Sequence, residues 1–162
     1  MNKRRNWTRN EVILAFELYC TIPSSKVTAN HEAIVALANL IGRTPNAVKL
    51  KMQNFKTYDP SYTSDGRVGL SHGSKLDKEI VEEFAENWDE MVIEAENIKE
   101  SLGVKSKIGT TKKIPQGYDK VRLVKTRVGQ SFFRDSVLSA YDSRCCVTGI
   151  ELPELLIAAL CQ

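Results

Sequence analysis

The sequence predicts a mainly α-helical protein with a short β element near its C-terminal end. Apolar residues recur at helical spacing in three segments of the first 56 residues and again between residues 74 and 102. Ser or Thr followed three residues later by an acidic residue precedes two of these segments, as in a capping box. Clusters rich in Gly and Pro divide the chain into four expected parts: a helix-turn-helix-like unit (1–60), a loop with a long acidic helix (61–102), a basic linker (103–117) and a C-terminal piece (118–162).

Composition excludes several classes of protein. The chain has 162 residues, 42% of them hydrophobic, and no run of about 18 apolar residues that could span a membrane. Its N-terminus leads into a polar capped helix, unlike a signal peptide. The cysteines form no Cys-x-x-Cys pair, which argues against a zinc site and favours free thiols in a reducing cytoplasm (Cys20, Cys145, Cys146, Cys161).

The net charge of +3 is distributed unevenly along the chain. Residues 1–60 have 9 basic and 4 acidic side chains, residues 61–101 have 4 and 11, and residues 102–162 have 10 and 5. Basic ends favour a polyanionic partner because Lys and Arg release counterions condensed on phosphates. An ordinary solvated surface remains the alternative.

Three helices are predicted in the first part. The first begins at Thr8, whose capping partner is Glu11, and runs to about Cys20. Its expected buried stripe is Val12, Ala15, Phe16 and Tyr19. The second starts near Asn30 and stops at Gly42, after which Thr44 and Pro45 are expected to cap and begin the third, as in a helix-turn-helix connection.

The third predicted helix, residues 45–56, has two faces. Val48, Met52 and Phe55 should pack inward. The remaining polar side chains could contact phosphates and base edges of double-stranded DNA: Arg43, Asn46, Lys49, Lys51, Gln53 and Lys56. A solvated helix face explains the same pattern equally well.

Residues 7–55 resemble a known helical region. The motifs are Trp-Thr-x-x-Glu at 7–11 and Gly-Arg-Thr-Pro-x-Ala-Val-x-x-Lys-Met-x-Asn-Phe at 42–55. They are similar to the Myb- or SANT-like three-helix region that precedes nuclease domains in some bacterial HNH proteins. The resemblance implies DNA binding but no sequence preference.

A long acidic helix is predicted from Ser74 to about Leu102, with Asp77 as its capping-box partner. Its buried face would include Ile80, Phe84 and Trp88. The acidic remainder opposes DNA contact and favours a spacer, a support for the basic units or a helix of a homodimer.

The C-terminal piece is predicted to hold a strand at 118–128 and a helix at 130–141 that buries Phe133, Val137, Leu138 and Tyr141. Four runs then resemble the entry to a restriction-associated HNH endonuclease domain: Arg127-Val-Gly-Gln-Ser-Phe-Phe-Arg134, Val137-Leu-Ser-Ala-Tyr141, Arg144-Cys-Cys-Val-Thr-Gly149 and Pro153-Glu-Leu-Leu-Ile-Ala-Ala159. The resemblance implies a partial ββα unit. Adjacent cysteines are poor joint ligands for one zinc ion, so we expect Cys145 and Cys146 to be buried beside the Thr-Gly turn.

In that family a strand ends in Ala-Ala-His or Ala-Ser-His, and a later Asn and His complete a site for Mg²⁺ or a similar ion. Here Leu160 occupies the expected His position, and leucine can neither accept a proton nor bind a metal. We therefore expect no catalytic residue and no cofactor in this chain. An unpaired strand edge in the partial ββα unit would expose apolar side chains such as Leu155, Leu156 and Ile157, so we expect self-association or partial disorder near 150–162. Two alternatives stay open: an active nuclease completed by a longer product or another chain, and a DNA-binding regulator or interaction protein.

Overall fold

The computed structural model describes residues 5–59, 63, 73–85, 87–104 and 120–158. Within these ranges the protein is mainly helical, as predicted, and contains no strand. Two single-turn 3₁₀ helices, Ser24–Lys26 and Pro153–Leu155, accompany the α-helices. The α-helices are α1 (Arg9–Thr21), α2 (Glu32–Ile41), α3 (Pro45–Phe55), α4 (Lys75–Phe84), α5 (Trp88–Ser101) and α6 (Lys120–Ala140).

The chain divides into two compact units. The first unit comprises Met1–Leu18 and Thr28–Asn87, and the second comprises Tyr19–Val27 and Trp88–Gln162. Helix α1 therefore contributes its first part to one unit and its last residues to the other.

Helix starts and stops in the first unit follow the local sequence. The Thr8 backbone N–H donates to Glu11 Oε2 at 2.9 Å and the Glu11 N–H donates to Thr8 Oγ1 at 3.4 Å, which completes the predicted capping box. Helix α2 begins two residues later than predicted, because the His31 ring accepts the Ala33 N–H at 3.3 Å and acts as the cap.

The core of the first unit is built from α1, α2, α3 and α4. Val48, Met52 and Phe55 of α3 are fully buried, as predicted, and the Phe16 and Phe55 rings meet edge to face with centroids 5.3 Å apart. Burial of α1 differs from the predicted stripe, since Ile13 and Leu14 are buried too and Tyr19 is only half-buried. Helices α2 and α3 pack against each other, and α4 packs against α3.

The single acidic helix predicted over residues 74–102 is wrong. The Ser74–Asp77 capping box is present, but α4 ends at Phe84 and α5 starts at Trp88. At the break the Asn87 side chain donates to the Glu83 carbonyl at 3.3 Å and its backbone N–H donates to the Phe84 carbonyl at 3.3 Å. Asparagine competes in this way for backbone groups that would otherwise continue a helix.

The predicted strand at 118–128 is also wrong, because its described residues form the first part of α6. The alternation of apolar residues there was short, and Lys, Arg and Leu are good helix formers. No strand follows α6 within residues 141–158, so the expected partial ββα unit is not seen in the described chain.

The second unit has a smaller core. Met91, Val92, Ala95 and Ile98 of α5 are buried, and α5 packs against α6. Phe132 is buried, with its ring centroid 5.7 Å from that of Trp88, whereas Trp88 itself is 41% exposed and Tyr141 is 55% exposed. The predictions that Trp88 and Tyr141 are buried are therefore wrong, and Phe133, Val137 and Leu138 are half-buried rather than buried.

None of the helices in the described ranges combines the length and the apolar character needed to cross a lipid bilayer.

Candidate nucleic-acid interface on helix α3

The turn that leads into α3 is fixed by three successive residues. Gly42 adopts a left-handed conformation with φ 65°, and the Arg43 N–H closes the end of α2 by donating to the Ala38 carbonyl at 2.8 Å. Thr44 Oγ1 accepts the Ala47 N–H at 3.2 Å, and Pro45 occupies the first helical position. Gly42 thus ends α2, Thr44 caps α3 and Pro45 begins it, as predicted, and together they set the direction of α3.

Arg43, a predicted DNA contact, faces into the first unit instead. Its side chain is only 10% exposed, and its Nη2 lies 2.8 Å from Glu11 Oε2. The same guanidinium donates to the Asn6 carbonyl at 2.7 Å and to the Arg5 carbonyl at 3.1 Å. Its Cζ lies 4.1 Å from the centroid of the Trp7 ring, a cation–π contact. Arg43 thus ties the α2–α3 turn to the segment before α1.

Glu11 is the anion at the centre of this network. It caps α1 and pairs with both Arg43 and Arg5. Burial alone would raise the pKa of Glu11, but the hydrogen bonds from Arg43 and the Thr8 backbone, together with the two guanidinium charges, hold that pKa below its ordinary value. The carboxylate is therefore ionised and serves as a structural counter-ion.

Lys51 is buried as well. Its side chain is 6% exposed, its Nζ lies 2.7 Å from Oδ1 of the fully buried Asp77, and Nζ also lies 4.9 Å from the centroid of the Trp7 ring. The second oxygen of Asp77 accepts the Ser74 N–H at 2.9 Å. One carboxylate therefore caps α4 and neutralises a cation of α3, which fastens the two helices together.

The other four predicted contacts lie nearer the surface. Asn46 is exposed, and Lys49, Gln53 and Lys56 are half-buried. Lys49 has no ion-pair partner among the described residues. Lys56, at the C-cap of α3, interacts with other groups of the protein. Asn46, Lys49 and Gln53 follow one another at spacings of three and four residues and so share a helix face. We call these three residues together with Leu50 the α3 face.

Leu50 was missed by the sequence reasoning. It is 53% exposed and stands four residues after Asn46 and three before Gln53. Helical spacing alone could have placed it on the α3 face, but a leucine there is ordinarily assigned to a core. Trp7 contacts Arg43 and Lys51, and Asp77 pairs with Lys51. These contacts join residues far apart in sequence, so no local pattern could predict them.

The segment that carries the α3 face contains no acidic residue. Residues 43–57 contain four basic side chains and no Asp or Glu. Two of the four charges, those of Arg43 and Lys51, are balanced internally by Glu11 and Asp77. The face can therefore offer amide groups, one ammonium group and one apolar side chain to a ligand.

The segment after α6 forms a tight turn around Cys145. The Gly149 N–H donates to the Cys145 carbonyl and the Cys145 N–H donates to the Ile150 carbonyl, both at 2.9 Å. Hydrogen bonds from the Thr148 side chain and from the backbone N–H groups of residues 147–149 lower the pKa of the Cys145 thiol to about 7. Cys146 is exposed, so the expectation that both cysteines are buried is wrong.

The described residues include no group of three or more His, Cys, Asp or Glu side chains placed to hold a metal ion. Whether the chain binds a metal therefore stays a prediction. Leu160, which stands at the expected His position, lies outside the described residues.

Comparisons with protein-family models, curated proteins and solved structures find no match to this chain. The case for function therefore depends on the residues themselves.

Proposed function

We propose that this protein binds double-stranded DNA through the α3 face. The observation that carries the proposal is the separation of the polar side chains of α3 and its turn into an inner set and a surface set. Arg43 and Lys51 are buried and paired with Glu11 and Asp77, while Lys49, Asn46 and Gln53 lie on the α3 face. The segment 43–57 contains no acidic residue.

The chemistry of these side chains suits a duplex. A lysine ammonium group neutralises a phosphate, and the amides of Asn and Gln can both donate to and accept from a base edge in the major groove. The start of α3 is rigid, because the left-handed Gly42, the Thr44 cap and the Arg43 network all fix it. A rigid helix loses little conformational entropy on binding.

The test is the affinity of the full chain for fluorescein-labelled 30-base-pair duplexes, measured by anisotropy at several salt concentrations. Each phosphate contact contributes a slope of about −0.9 to the dependence of log affinity on log salt. We expect Lys49→Ala to weaken binding and to reduce the steepness of that slope by about 1.

Lys75→Ala is the matched control. Lys75 lies on α4 of the same unit, its side chain is 91% exposed, and it faces Glu79 across 3.5 Å. Removing it changes the net charge by the same amount at a site without a predicted DNA contact. Equal losses for the two variants would show a diffuse charge effect and contradict binding by the α3 face.

The proposal includes no strand cleavage. The HNH resemblance implies a general base at the position of Leu160, and leucine cannot accept a proton. We expect supercoiled plasmid incubated with the chain and Mg²⁺ to remain uncut at concentrations that shift its mobility. Nicking that depends on Mg²⁺ would instead support the nuclease alternative.

A further inference from the structure

Leu50 is unusual within the first unit. Among the described residues of that unit it is the sole large hydrophobic side chain that is exposed, at 53%. The other exposed large hydrophobic residues all belong to the second unit: Trp88, Leu102, Val104, Tyr141, Val147, Ile150, Leu152, Leu155 and Ile157.

The position of Leu50 on α3 is well defined. The two residues after it, Lys51 and Met52, are buried, and Val48 is fully buried two residues before it. Leu50 therefore lies on the outward side of the helix, between Asn46 and Gln53 and next to Lys49. It forms one apolar spot surrounded by hydrogen-bonding and cationic groups.

This arrangement favours some ligands over others. A protein partner is normally bound through a contiguous apolar patch, and a single leucine among polar side chains provides little such area. The major groove of DNA offers a closer match, because the C5-methyl group of thymine stands beside hydrogen-bonding base edges and between two rows of phosphates.

We propose that Leu50 contacts the C5-methyl group of a thymine when α3 binds in the major groove, so that Leu50 determines specificity for thymine at one position. This inference rests on the proposed DNA binding. Lys49 would contact a phosphate, and Asn46 and Gln53 would lie close to the neighbouring base edges.

The methyl group provides a direct test, because uracil pairs like thymine but lacks it. Duplexes that the full chain enriches from a randomised 30-base-pair pool are remade with deoxyuridine in place of each thymidine in turn. Burial of one methyl group predicts that uracil weakens binding about three- to fourfold at one position. We expect Leu50→Ala to abolish this thymine-to-uracil difference.

Lys49→Ala is the control for a general loss of affinity. It should weaken binding to the thymine and uracil duplexes equally and leave their ratio unchanged. Both variants change partly exposed side chains, and an unaltered thermal midpoint and far-UV circular dichroism spectrum would verify their folding.

The outcomes separate the inference from the proposed function. If the wild-type chain binds no duplex, the proposed function fails. If it binds duplexes but does not distinguish thymine from uracil, the proposed role of Leu50 is contradicted while the proposed DNA binding is not. The same holds if Leu50→Ala keeps the wild-type ratio of thymine to uracil affinity. A change in the sedimentation of the protein alone on Leu50→Ala, with the ratio preserved, would assign Leu50 to contacts between copies of the chain.

Discussion

The first unit and residues 141–158 of the second unit differ in how far they bury their apolar and charged side chains. In the first unit the charged groups taken into the interior are paired, and among its described large apolar residues only Leu50 is exposed. In residues 141–158, Val147 is 87% exposed and Ile157 is 90% exposed, and Arg144 pairs with Glu151 at the surface. An exposed large apolar residue is therefore informative in the first unit, where it is an exception. It is much less informative in residues 141–158, where several such residues are exposed.

The difference predicts where a lost charge is costly. Replacement of Asp77 by Asn leaves the Lys51 ammonium group buried without an anion. We expect Asp77→Asn to lower the free energy of unfolding by about 3–5 kcal/mol, measured by urea denaturation. The second substitution Lys51→Met removes the stranded cation, so the double variant should recover most of this loss. A single variant as stable as the wild type would contradict the buried pair.

A second prediction concerns acid. The pKa of Glu11 is lower in the folded protein than its ordinary value of 4.5, so its contribution to stability is present above that pH and is lost as the pH falls through the folded pKa. At pH 7 we expect Glu11→Gln to cost about 1.5–3 kcal/mol, since hydrogen bonds to a charged group are lost. The difference between wild type and variant should shrink as the pH is lowered below about 4.5. A constant difference from pH 7 to pH 3 would show that the charge of Glu11 is unimportant.

The smallest expected effect lies in residues 141–158. Ile157→Ala should change the free energy of unfolding by less than about 0.5 kcal/mol, because Ile157 is already 90% exposed. The matched substitution in the first unit, Ile34→Ala, removes a fully buried side chain and should cost about 2–5 kcal/mol. Denaturation of the two variants side by side measures the contrast, and comparable losses would show that Ile157 is covered in solution.

The local signals in the sequence were sufficient for much of the first unit. The caps at Thr8, Thr44 and Ser74 and the stop at Gly42 each depend on residues within four positions, and all four are present. The inward face of α3 followed from its spacing. The exposure of Leu155 and Ile157 was also predicted, although Leu156 is half-buried.

Errors arose where the outcome depends on distant partners or on competition between weak signals. Arg43 and Lys51 looked like surface cations because Glu11 and Asp77 are 32 and 26 residues away from them. At the break between α4 and α5 the Asn87 side chain bonds to a backbone carbonyl, and the start of α6 had a pattern compatible with strand or helix. Periodicity cannot decide such cases alone.

The most direct test compares two lysines that stand two residues apart on α3. Duplex affinity is measured for Lys49→Met and for the double variant Lys51→Met with Asp77→Asn, each checked for a folded circular dichroism spectrum. Lys49 lies on the α3 face and Lys51 is paired inside, so Lys49→Met should lose affinity while the double variant keeps that of the wild type. Loss of affinity only in the folded double variant, with Lys49→Met unaffected, would contradict the account.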